Sequence, residues 1–157
     1  MQSNWQTWAA FGDSRKFFAA VRAAVPQLDE ARYVVEYGIE MRGGSSIGHN
    51  PNPPDPTGNA ATYLADNADE LMLKAKRKIE YCENLIGVAL VVIASVHDGL
   101  GDRHADMVEL HYVGALSIAE CAKTLDMSIS TVKRDISIAH DWCDCQSHRL
   151  FTGDYIT

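Results

Sequence analysis

The side chains in this sequence best suited to recognition chemistry lie in residues 117–142, SIAECAKTLDMSISTVKRDISIAHDW. Val132, Ile136, Ala139 and Trp142 recur at three/four spacing and define the apolar side of a helix. Ile129, Ser130, Thr131, Lys133, Arg134, Ser137 and His140 fall on its other side, with Ser128 at its start and Lys123 on the helix before. Hydroxyls, an ammonium and a guanidinium presented together suit hydrogen bonding to phosphate oxygens and base edges. The arginine is able to pair bidentately with guanine.

Other constellations offer less. His140-x2-Cys143-x-Cys145-x2-His148 has metal-ligating residue types, but on a continuous helix Cys145 points away from His140, Asp144 and His148. Structural zinc sites usually draw ligands from two separate elements, and no second CxxC pair exists, so no metal and no cofactor are expected. His97, His104, His111 and Asp102 lack a nucleophile or oxyanion site beside them, so an enzyme is not expected. Gly43 and Gly44 beside Ser45 and Ser46 suggest a phosphate cradle, yet no lysine follows at the required offset.

The elements that must position the recognition residues follow from local rules. Ser117 is an N-cap with Glu120 completing a capping box. Ile118, Cys121, Ala122 and Leu125 form the apolar stripe of a first short helix, and Ala122 is small where two helices must cross. Asp126 stands at the turn position that wants a left-handed backbone, which aspartate tolerates. Met127 plugs the turn and Ser128 caps the second helix. This is a helix-turn-helix, the arrangement that offers a helix to the major groove of double-stranded DNA.

The stretch LHYVGALSIAECAKTLDMSISTVKRDISIAHDW resembles the region 4 helix-turn-helix of sigma-70-family factors and related response-regulator output domains. The shared features are Tyr112 and Val113, a small-residue bend, Ser117, the apolar pattern, and Ser128-x-Ser130-Thr131-Val132-Lys133. The wider layout, with Gly43, Gly44, Asp55, Pro56 and Thr57 ahead of a long helix, resembles small phage and prophage regulators. The resemblance implies a DNA-binding transcriptional regulator, with RNA polymerase as a second partner of the kind region 4 contacts. It departs from the family at His111 and Ile129, where basic residues are common, and at Asp126, where glycine is common. Alternatives are a packaging component of the small-terminase type, or a helix-turn-helix interaction module that has lost DNA binding.

The rest of the chain reads as support. Residues 1–42 are expected to be helical in two pieces interrupted at Pro26, with Asp13 and Ser14 as N-cap candidates. The aromatics Trp5, Trp8, Phe11, Phe17 and Phe18 are expected in core or interface. Residues 42–59 hold four of the five prolines and four of the eleven glycines, which places a linker at 43–58. Residues 59–98 are expected as one long helix that packs or oligomerises, with 85–96 its most buried part and Lys74, Lys76, Arg77 and Lys78 on a solvated face. Residues 99–157 then form the helix-turn-helix domain, giving an all-α fold.

At 157 residues with 46% hydrophobic content, the chain is ordinary for one or two small globular domains. The apolar run 85–96 is too short to cross a bilayer, and no signal peptide is evident, so a cytoplasmic protein with reduced cysteines is expected. The net charge of −7 opposes indiscriminate nucleic-acid binding. From residue 99 onward five basic residues face nine acidic ones. Weak binding by a single chain is therefore expected, with a homodimer or polymerase needed to hold it on DNA.

Overall fold

The computed structural model describes residues 2–47 and 67–156, and among them every element is helical. Helix α1, Asn4–Ala9, opens on a capping box in which Ser3 accepts from the Gln6 amide and the Gln6 side chain accepts from that of Ser3. Helix α2, Ser14–Ile47, begins where Asp13 accepts from the Lys16 amide at 2.8 Å. It continues through Pro26, where an interruption was expected. Proline costs a helix one hydrogen bond and some steric strain, but its fixed φ is itself helical. The bend lies at Gly38 instead, with φ 48° and ψ −135°. Residues 43–47, expected as the start of the linker, still have helical backbone; glycine weakens a helix without forbidding it. Residues 48–58 of the expected linker lie outside the described residues.

Helix α3, Ala68–Leu100, begins with Asp69 and Glu70 in its first turn, acids that complement the helix dipole. Helix α4, Asp102–Val108, runs into a π-helical turn, Glu109–Val113. Helices α5, Ile118–Thr124, and α6, Ile129–Gln146, are the two helices of the motif, and a 3-10 turn, Ser147–Phe151, follows.

The chain divides into two compact units. The first combines Met1–Val25 with Cys82–Thr157, so the N-terminal helices join the domain that carries the motif. Its buried apolar side chains include Trp8, Phe17, Phe18 and Val21 from the N-terminal helices, Leu85, Val88, Val92 and Val96 of α3, and Met107, Val108, Val132 and Ala139. Each of these apolar side chains leaves water on folding, worth roughly 1.5–3 kcal/mol for the larger ones. Of the aromatics expected in core or interface, Trp8, Phe17 and Phe18 are buried, Phe11 is half-buried and Trp5 stays 39% exposed.

The apolar run in α3 is not buried all round. Leu85, Val88, Ala89, Val92, Ile93 and Val96 face the core, while Gly87, Leu90, Val91 and Ala94 face out. A helix packed on one side can bury only one stripe. By length and composition α3 could cross a membrane, but its inward stripe is the core of this unit.

The second unit is Pro26–Tyr81, in which the later part of α2 meets the first part of α3. Ala31, Leu28 and Ala75 are buried there, and Gln27, Glu30, Val34, Leu71 and Lys78 line a groove between the two segments. In this unit α3 packs against α2 of the same chain. Lys74, Lys76, Arg77 and Lys78 are exposed.

Candidate nucleic-acid interface

Helix α5 starts with the expected capping box, Ser117 Oγ accepting from the Glu120 amide at 3.1 Å and the Glu120 carboxylate accepting from Ser117 at 3.3 Å. It ends at Leu125, and Asp126 takes φ 54°, the left-handed conformation the turn requires. The Met127 amide then donates to the Ala122 carbonyl at 2.9 Å and directs the chain back across α5. Ser128 caps α6 by accepting from the Thr131 amide at 3.1 Å. Cys121, Ala122, Val132, Ile136 and Met107 close the space between the helices, with Leu125 and Met127 packed against them. Burial pushes the Cys121 thiol up, so it behaves as an apolar filler.

With the apolar side of α6 consumed, its remaining side chains are set. Ile129, 48% exposed, and Ser130, Lys133 and Arg134 project outward in the first two turns, and Lys123 is exposed on α5. The Ser128 hydroxyl also donates to Thr131 Oγ1 at 2.7 Å, so the cap couples these two hydroxyls. Ser137 is half-buried one turn further on and accepts from Arg15 Nη2 at 3.0 Å. Trp142 is half-buried rather than core, its ring lying over Gly99 and against Tyr155.

His140 reverses its expected position. It is 3% exposed, with Nδ1 2.7 Å from Ser14 Oγ and Nε2 2.6 Å from the Tyr112 hydroxyl. Burial, and next the Arg15 charge, pull its pKa down to about 4, so the ring is neutral at ordinary pH. Burial likewise raises the Tyr112 hydroxyl and lowers His111, whose Nδ1 is 2.7 Å from the Leu116 carbonyl. The helical register of α6 could not place His140, because the element that covers it lies 126 residues away. Cys143 is buried and its thiol is pushed up to about 12 by that burial, whereas Cys145 is exposed. Among the described residues no three His, Cys, Asp or Glu side chains converge as metal ligands would.

Two further groups escaped the sequence reading. Asp135, on α6 itself, is 1% exposed. Arg103 Nε stands 3.1 Å from its Oδ2, Arg134 Nε 3.6 Å and His104 Nε2 3.7 Å from its Oδ1. None of these approaches has hydrogen-bond alignment, so nearby positive charge rather than directed bonds compensates the carboxylate. Arg22 of α2 donates from Nε to the His111 carbonyl at 3.1 Å and from Nη2 to the Ala115 carbonyl at 3.2 Å. It thereby fixes the bend that leads into α5. A charged residue outside the motif signals such a role only once α2 is docked.

The outward groups of α6 suit hydrogen bonding and charge pairing with an anionic surface. The helix offers two outward turns bearing a hydroxyl, an ammonium and a guanidinium, seated on a rigid apolar base. Residues 88–149 match the family model of the ECF sigma factors. This stretch is a sigma-70 region 4-like domain, and the family it matches is a regulatory DNA-binding type rather than an enzyme family. No curated protein and no solved structure gives a significant match to the chain.

Proposed function

We propose that, through its region 4-like domain, the protein is a cytoplasmic transcriptional regulator of the phage or prophage type that reads the major groove of double-stranded DNA with α6. The observation that carries this is the division of labour on α6. Val132, Ile136 and Ala139 are committed to the core while Ser130, Lys133 and Arg134 are exposed, Arg134 with its Nε turned toward Asp135. Ser130 and Thr131 contact phosphates or base edges, Lys133 and Lys123 contact phosphates, and Arg134 reads a base edge. Ser128 holds the helix N-terminus toward the backbone, Ile129 packs against sugar or a thymine methyl, and Ser137 lies at the margin.

Three cations neutralise few phosphates, giving a salt slope of roughly −3 per chain. A homodimer or RNA polymerase supplies the remaining affinity. The outward stripe of Leu90, 46% exposed, and Val91, 38% exposed, on α3 supports self-association. The test is selection of bound duplexes from random DNA at low salt, with and without core RNA polymerase. Enrichment that is lost in the Lys133→Ala/Arg134→Ala variant supports the reading. No enrichment in either condition, or enrichment indifferent to the double change, overturns it.

A further inference from the structure

The outward face of α6 changes sign along its length. Ser130, Lys133 and Arg134 in the first turns are followed at helical spacing by Ser137, Asp141 and Asp144. The rise from residue 134 to 141 is about 10 Å. That is close to the Debye length of about 10 Å at 0.1 M salt. A duplex held by Lys133 and Arg134 would therefore still feel two carboxylates aimed to the same side.

Both carboxylates are already engaged, and by consecutive residues of another element. The Ser14 backbone N–H donates to Asp144 Oδ1 at 2.7 Å. Arg15 places Nη1 3.2 Å and Nη2 3.3 Å from Asp141 Oδ1, while its Nη2 also donates to Ser137 Oγ at 3.0 Å. The first turn of α2 is held in this position by the Ser14–His140–Tyr112 chain, in which Ser14 is fully buried. The positive end of the α2 dipole adds to the effect beside Asp144. Asp13, which caps that turn, adds a carboxylate there, and Lys16 adds a second exposed cation.

We infer that the start of α2 is a charge mask for the recognition helix, and that Arg15 is a positioning residue for DNA binding. It works by neutralising Asp141 where a duplex would pass. The inference rests on the DNA-binding reading of α6 and adds to it a residue from outside the matched family region.

The experiment measures binding of the full chain to a labelled duplex taken from the selection. At about 50 mM salt, Arg15→Ala should weaken binding about three- to fivefold, the scale of an exposed ion pair acting near a polyanion. The loss should shrink at about 300 mM salt as screening shortens the repulsion. Adding Asp141→Asn should restore affinity to within about twofold of the wild type, a rescue that a purely structural role for Arg15 would not give. Arg149→Ala, which removes the same charge outside α6, should bind as the wild type does. Asp141→Asn alone leaves α2 intact and should tighten binding, which keeps the test decisive if Arg15→Ala does not fold. Wild-type affinity in Arg15→Ala, a loss that Asp141→Asn does not rescue, or an equal loss in Arg149→Ala overturns the mask alone. A wild type that selects no duplex overturns the DNA-binding reading, and the mask with it.

Discussion

Acid should destabilise this protein through His140, and by an amount the structure sets. The ring is buried between Ser14 and Tyr112, and its pKa is about 4 against 6.5 for an unhindered histidine. The folded state therefore binds fewer protons than the unfolded state between those values, and stability falls as pH falls. The full contribution is present above pH 6.5 and is lost as pH drops toward 4. The difference between the two pKa values corresponds to about 3 kcal/mol in all, of which about 2 kcal/mol is gone by pH 5.

Urea unfolding at a series of pH values measures this directly. His140→Gln keeps a neutral group able to bond on both sides and removes the titration. The difference in stability between wild type and variant should fall by about 2 kcal/mol from pH 7.5 to pH 5. His111, also lowered by burial, cancels in that difference. Parallel pH profiles for the two proteins would mean that His140 is open to solvent and that α2 does not dock on α6 through Ser14.

Other substitutions probe the motif and its neighbours. Gly99→Ala should destabilise by about 1–3 kcal/mol, since a Cβ would stand 2.1 Å from Trp142 Cζ2. At an unobstructed helical site the same change stabilises by about 1 kcal/mol, so the sign in a urea titration decides. Asp126→Gly relieves a left-handed residue and should raise stability by up to about 1 kcal/mol, seen as a higher urea midpoint; a lower midpoint would mean that the aspartate is held there by more than the turn. Ser117→Ala removes the acceptor at the α5 N-cap and should cost about 1 kcal/mol, with Glu120→Ala adding less than the same again because the two share one capping box.

What could be read from the sequence was whatever depends on residues three or four apart. The Ser117 box, the Ser128 cap, the left-handed Asp126 and the Val132–Ile136–Ala139 stripe are contests between a side chain and its own backbone turn. Helical period and hydrogen-bonding capacity decide them before any tertiary structure exists. They were enough to define the helix-turn-helix and the outward set from Ile129 to Arg134. Pro26 shows the limit of local rules, because proline's lost hydrogen bond is a bounded cost that surrounding helix can absorb.

Tertiary structure alone decided which outward groups stay outward. His140, Asp135 and Ser137 occupy positions whose exposure depends on the first turn of α2 and on Arg103, elements that the helical period of α6 cannot see. Ser14 and Arg15 reach Asp144 and Asp141 across 130 and 126 residues, respectively. Bringing such groups together is driven by burial of Trp8, Phe17 and Phe18, which is blind to direction along the chain. The sequence by itself thus determined a helix-turn-helix and its caps, whereas the packing of α2 determined which side chains of α6 stay outward, and with what charge beside them.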